Sequence, residues 1–204
     1  GPLVHTAWTA GLKTPLTIWG PPGLQDYWDA FCQSMAADIE LREVDEGRPP
    51  FAGLITIHEI AEGTFYDVDD LSVSAMRTIH PPLVDCFALS FRTASRHVVF
   101  SGDTAYLPPL VDFARGVDLL IHEAMLKPAL EALVARVGST DGRLMNHLVS
   151  SHTLADKAAE IAEQAGAAAL ALNHLIPADD PDYSAEDWQA AVAPHFSGTI
   201  HIGT

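Results

Sequence analysis

Two different periods run along this chain. Through the first half, apolar and polar positions alternate: Leu54 to Ile60, Leu71, Val73 and Ala75 on the way to Ile79-His80, and Phe87, Leu89 and Phe91, while Gly63 to Asp70 holds a short strand and an acidic turn. A period of two places successive side chains on opposite faces, so these stretches are predicted as strands with one face buried, of the antiparallel type. Ile39 to Val44 alternates in the same way and is predicted as a further half-exposed strand. The second half differs. His97 to Phe100, Val117 to Ile121 and Ala167 to Leu172 are continuous apolar runs, as expected of strands buried on both faces. Between and around them the period is 3.6. Leu107, Leu110, Val111 and Ala114 mark one helix face; Leu130, Leu133, Val134 and Val137 mark a second, from Pro128 to a stop at Gly138. Leu154, Ala158, Ile161, Ala162 and Ala165 mark a third, ended by Gly166.

The remaining elements follow from turn and cap chemistry. Residues 1–14 read as a short helix and loop anchored by Trp8. Leu16 to Trp19 is a strand ending in the rigid turn Gly20-Pro21-Pro22-Gly23, and the next helix carries Leu24, Trp28, Phe31 and Met35 on one face. Polar loops are expected at 45–50, 139–143 and 177–183, and His147 lies in a short segment before Ser150-Ser151-His152-Thr153. Thr153 and Ser184 are the expected N-caps of the last two helices, and Thr199 to Ile202 is the final strand. Two sheets with helices on their outer faces, an α/β sandwich, would bury both patterns in a single domain spanning 1–204.

Charge narrows the partners. The 204 residues hold 11 Lys and Arg against 27 Asp and Glu, a formal net charge of −16, with no basic run. Phosphate surfaces need clustered cations, so nucleic acid is not the expected partner, and an anionic membrane is disfavoured for the same reason. No stretch approaches transmembrane length, and no charged and apolar leader opens the chain, so a cytoplasmic location is expected, with a leader ahead of Gly1 left open. Cys32 and Cys86 match no metal or redox spacing and read as packing residues. A serine-nucleophile elbow, a dinucleotide fingerprint and a phosphate loop are all missing from the sequence.

The candidate chemistry lies at the ends of strands. His80 and His174 follow apolar strands, and so does Asp103 in Ser101-Gly102-Asp103-Thr104; the run 117–121 ends in His122-Glu123; His152 immediately precedes a helix. Polar groups at several strand ends can converge on one rim of a sheet. Two imidazoles and a carboxylate form a donor set suited to Zn²⁺, Mn²⁺ or Fe rather than Ca²⁺. Each group taken singly is better accounted for by capping a strand or binding a backbone carbonyl; together with Glu123 they point to a metal site. His5, His97, His195 and His201 read as surface or packing residues, and His58 and His147 fit either description.

These residues resemble the metallo-β-lactamase superfamily, in its ribonuclease Z and arylsulfatase-like branch. The likeness is carried by Ile79-His80-Pro81-Pro82, Phe100-Ser101-Gly102-Asp103-Thr104, Leu120-Ile121-His122-Glu123-Ala124, Ser151-His152-Thr153 and Asn173-His174-Leu175 in that order, with Trp19 to Gly23 in support. The resemblance implies an αββα sandwich with a two-metal site, usually zinc. In it His80 would ligate one ion, Asp103 would bridge both, His174 would ligate the other, and His152 oriented by Glu123 would give the leaving group its proton. The family's His-x-His-x-Asp-His motif has no counterpart in residues 1–204. The resemblance therefore implies a fragment, with N-terminal strands missing and a C-terminus also short of the family's, so that residues 1–204 alone are expected to hold metal weakly and to be impaired in the activity of the parent chain. The function implied is a binuclear metal-dependent hydrolase of a small ester-type substrate (phosphodiester, sulfate ester or related), attacked by metal-activated water. The alternatives are a transfer-RNA 3′ processing endonuclease and a non-catalytic module with a degenerate metal site. A homodimer is compatible with the branch.

Overall fold

The computed structural model describes residues 1–138, 141–178 and 180–203, and the chain forms two compact units, Gly1–Ala61 and Glu62–Thr204. Ser139 and Thr140 of the expected 139–143 loop, Asp179 of the 177–183 loop and the terminal Thr204 lie outside the described residues.

The first unit holds helix α1 (Pro2–Thr9), strand β1 (Leu16–Gly20), helices α2 (Leu24–Ser34), α3 (Ala36–Val44) and α4 (Phe51–Leu54), and strand β2 (Ile55–Glu59). β1 and β2 pair in parallel. Their helices enclose a small aromatic core of Trp8, Trp28, Phe51 and Leu54, in which the Trp8 and Phe51 rings lie 4.9 Å apart. Full burial of such side chains contributes about 1.5–3 kcal/mol each. The buried Trp8 indole N–H donates to the Pro49 carbonyl at 3.0 Å. His58, which fitted either description, stacks on Trp19 at 4.3 Å in this unit.

One expected element changes type here. Residues 39–44 are helical, within α3. Alternation suggested a strand, yet Leu41 and Val44 stay exposed, so the period of two marks no buried face. Leu, Glu and Arg favour helix, and only helical spacing joins Asp38 to Arg42 at 2.8 Å and Arg42 to Glu46 at 3.1 Å, each pair four residues apart.

The second unit is built on a seven-stranded sheet in sequential order: β3 (Gly63–Val68), β4 (Leu71–Arg77), β5 (Phe87–Arg92), β6 (His97–Phe100), β7 (Leu119–Met125), β8 (Ala169–Ile176) and β9 (Thr199–Ile202). The pairings from β3 to β6 are antiparallel and those from β6 to β9 parallel, as the two sequence periods require. Helices α5 (Leu110–Phe113), α6 (Lys127–Val137), α7 (Arg143–Ser151), α8 (Ala155–Ala165) and α9 (Ala185–Val192) occupy the connections. Val99, Leu120 and Leu170 of the strands meet Leu110, Ile161, Ala162, Trp188 and Val192 of α5, α8 and α9 in one buried core. Gly138 and Gly166 end α6 and α8 in the left-handed conformation, and Ser184 forms a capping box with Asp187, all as predicted.

Three boundaries move. α5 is a single turn, although Leu107, Leu110 and Ala114 are all buried as its pattern required. The segment containing His147 is a full helix, α7. The N-cap of α8 is Leu154 rather than Thr153, whose side chain is bonded elsewhere. The structure is thus an α/β fold, a sheet flanked by helices, and among the described residues no helix is long and apolar enough to cross a membrane.

Candidate active site

β4, β6, β7 and β8 all run in the same direction, because β4 and β6 are each antiparallel to β5 and β6–β8 are parallel. Their C-terminal ends therefore share one edge of the sheet, and the polar residues after them meet there. His80 follows β4 and Asp103 follows β6. Glu123 lies inside β7 rather than beyond its tip, paired in the ladder with Asn173.

The turn that presents Asp103 depends on Gly102. Its φ is +59°, and a Cβ there would come within 2.7 Å of the Phe87 carbonyl oxygen. The position of His174 has a different cause. Glu123 pairs with Asn173 and Ala124 with Leu175, so His174 is one extra residue in β8, a β-bulge. Its φ of +42° lies in the left-handed region, uncommon for a residue other than glycine. Bulges re-aim side chains beside active sites, and this one turns the imidazole toward Asp103.

Oδ2 of Asp103 stands 3.8 Å from His80 Nε2 and 3.5 Å from His174 Nε2. Ligand atoms of one tetrahedral Zn²⁺, each at roughly 2.0–2.2 Å from it, lie about 3.4 Å apart, so these separations suit a shared cation better than direct hydrogen bonds. Among the described residues, Nδ1 of His80 is buried without a hydrogen-bond partner. The donors present thus fit a divalent metal. His152 belongs to the same cluster: donor atoms of His80, Asp103 and His152 all lie within 4.8 Å of one another, and the His152 ring sits 4.9 Å from that of His80 and 5.5 Å from that of His174.

His152 has a second partner that the others lack. Its Nδ1 meets Oε1 of Glu123 at 3.1 Å, with both side chains buried. The same Oε1 accepts the backbone N–H groups of Thr104 at 3.0 Å and Thr153 at 3.2 Å. Burial pushes the Glu123 carboxyl up, opposed by its bonds to His152 and Thr104. Burial would lower the His152 imidazole, but the bond and charge of Glu123, with the charge of Asp103, outweigh it and hold the pKa above the ordinary value. His152 is therefore a more persistent proton carrier than a free histidine.

Thr104, fully buried, ties the loops together. Its hydroxyl accepts from the Ile79 N–H at 3.2 Å, and its carbonyl accepts the Thr153 hydroxyl at 2.6 Å. The bond from Thr153 explains why that residue does not cap α8. Thr104 lay in a motif recognised in the sequence, but spacing gave no sign of its linking role. His147, compatible beforehand with either role, reaches the rim: its ring lies 6.0 Å from His80 and 6.2 Å from His152. His97 is a packing residue, bonded to Ser90 at 2.9 Å.

A mixed sheet with histidine and carboxylate donors along one edge defines the class, an α/β protein of the metallo-β-lactamase fold. The sequence model of the Beta-lactamase superfamily domain matches residues 5–175. Ribonuclease Z of Mycobacterium sp. (strain KMS) is 30% identical over 208 residues, covering 100% of this chain and 69% of that protein. Ribonuclease Z of Mycobacterium tuberculosis (strain ATCC 25618 / H37Rv) is 28% identical over 209 residues, covering 100% of this chain and 72% of that protein. Among solved structures, the metallo-beta-lactamase fold protein YhfI from Bacillus subtilis aligns with a TM-score of 0.64 at 21% identity, over 100% of this chain and 68% of that one. The short form of human tRNase Z aligns with a TM-score of 0.60 at 19% identity, over 99% of this chain and 69% of that one. The chain belongs to the metallo-β-lactamase superfamily of hydrolases, in its ribonuclease Z branch.

Proposed function

We propose that this protein hydrolyses a phosphodiester bond in RNA, with transfer-RNA precursors as the substrate class. The observation that carries the reading is the buried Glu123–His152 pair standing within the donor cluster of His80, Asp103 and His174. Those three residues would hold divalent metal, zinc being the best match to the donor set, and Asp103 would bridge two ions. Bound metal would lower the pKa of water and offset charge developing on the phosphate. Glu123 takes the Nδ1 side of His152, which leaves Nε2 as the ring nitrogen that gives a proton to the departing oxygen. The relatives named ribonuclease Z and tRNase Z support RNA as substrate.

A second reading, a small phosphodiester or sulfate ester, is favoured by the net charge of −16, since an extended RNA contact needs cations to offset phosphate repulsion. Comparison of kcat/KM on a transfer-RNA precursor and on bis(p-nitrophenyl) phosphate separates the two. Roles are separated by His152→Ala and Asp103→Ala, each assayed for turnover and metal content. His152→Ala is expected to lower turnover by about 10²–10⁴-fold with metal retained, whereas Asp103→Ala loses metal. Loss of metal in His152→Ala would make His152 a ligand instead of the acid.

A further inference from the structure

A cavity of about 380 Å³ lies against His152, within the size range of small-ligand sites. Its floor is apolar, from Met125 at the end of β7, Leu130 of α6 and Leu154 at the N-cap of α8. Tyr106, three residues beyond Asp103 and half exposed, offers an aromatic edge. Two cations reach the same space, Lys127 and Lys157. Lys127 makes no ion pair among the described residues, and Lys157 pairs with the half-buried Glu160, whose carboxylate His195 also approaches, so a phosphate would share Lys157 with that carboxylate.

His152 is both a wall of this cavity and a member of the donor cluster. A group that takes its proton must come within hydrogen-bond reach of it, about 2.6–3.2 Å, and so must enter at this point. The rest of the leaving side then has an apolar floor, an aromatic ring and two ammonium groups to meet. Apolar walls with a ring suit a planar base, since base–aromatic stacking tolerates any base. The lysines suit one phosphate. Glu131, also at the wall, disfavours a second negative charge nearby.

We infer that this cavity is the leaving-side subsite of the enzyme, and that it takes one nucleoside monophosphate unit. The base lies on the Met125–Leu154 floor beside Tyr106, and the phosphate lies between Lys127 and Lys157. In the reaction a water oxygen bonds to phosphorus and releases one proton to solvent, the bond from phosphorus to the leaving oxygen breaks, and His152 gives that oxygen its proton and is itself reprotonated from solvent. The inference rests on the phosphodiesterase reading above, but its binding test does not require turnover.

The test is titration of the chain with adenosine 5′-monophosphate and adenosine 3′-monophosphate, followed calorimetrically, with adenosine, phenyl phosphate and inorganic phosphate as comparisons. Saturable binding of at least one monophosphate, tighter than that of any comparison, is expected. Lys127→Ala should weaken it about tenfold, Lys127→Arg should largely restore it, and raised salt should weaken it further. Tyr106→Ala should weaken it about tenfold and Tyr106→Phe should not. Failure of both monophosphates to saturate, or affinities unchanged in Lys127→Ala and Tyr106→Ala, overturns the subsite. Phenyl phosphate binding as tightly as the nucleotides overturns its assignment to a nucleotide in favour of a small aryl ester. RNA cleavage with unaltered KM in Lys127→Ala and Tyr106→Ala would sink the subsite while leaving the phosphodiesterase reading standing. Nucleotide binding without any phosphodiesterase activity would do the reverse.

Discussion

The backbone N–H of Thr104 donates to Oε1 of Glu123 at 3.0 Å, one residue after the candidate metal ligand Asp103. The carboxylate that orients His152 therefore also anchors the loop that presents Asp103. The candidate acid and the candidate metal donors are set by one shared group, so disturbing either side should reach the other.

The Thr104 hydroxyl is the first place to test this coupling. Thr104→Val keeps the shape but removes the acceptor of the Ile79 N–H at 3.2 Å and the donor to the Ala105 carbonyl at 2.8 Å. Each lost hydrogen bond of this kind costs about 0.5–1.5 kcal/mol. Urea denaturation should show a loss of that size in Thr104→Val and little loss in Thr104→Ser.

Glu123→Gln should lower the pKa of His152. The glutamate bond and charge raise it in the folded chain, so this pair contributes stability that is fully present below the unfolded histidine value and is lost as pH rises through the folded one. Imidazole nitrogen shifts recorded by NMR against pH on metal-free protein would report the change. A His152 titration midpoint that does not move would show that Glu123 is not its electrostatic partner.

His122 predicts a slope of opposite sign. It is fully buried, its Nδ1–H donates to the Glu123 carbonyl at 2.7 Å, and burial pushes its pKa down to about 4. The unfolded chain binds this proton near pH 6.5 and the folded chain resists it. Stability should thus fall as pH drops from about 6.5 toward 4, by about 3 kcal/mol in all, and show no His122-dependent slope above that window, where the contribution is fully present. Denaturant midpoints of the parent and of His122→Phe, measured from pH 7.5 to 4.5, should diverge in slope only below about 6.5.

Gly102→Ala should both destabilise the chain and weaken metal binding. The left-handed backbone alone costs a side-chain-bearing residue about 1–2 kcal/mol, and the contact with the Phe87 carbonyl adds to it. Thermal melts would register the first effect, and metal titration the second through the displaced Asp103. A variant with parental metal affinity would mean that this turn does not set the carboxylate.

Much of this was visible in the order of residues. The apolar runs at 97–100, 117–121 and 167–172 marked the central strands, although 117–121 began early and stopped short of Glu123. Gly138, Gly166 and Ser184 marked helix ends through local backbone and capping chemistry. His80, Asp103, Glu123, His152 and His174 were all singled out, because polar groups that interrupt buried apolar runs stand out against them. Residues 39–44 were misread because a short alternation is compatible with either period, and exposure, which decides between them, is not local information.

The α/β character, the superfamily likeness and the chemical identity of the donors are legible in the chain order, since each depends on residue type and near-neighbour spacing. How the donors meet is a property of the folded chain. The bulge that turns His174 toward Asp103 comes from strand register, the three bonds onto Glu123 Oε1 join residues up to 30 positions apart, and the cavity beside His152 is enclosed by several separate elements. Strand register, shared acceptors and enclosed space depend on contacts between residues far apart in the chain, which local spacing does not encode.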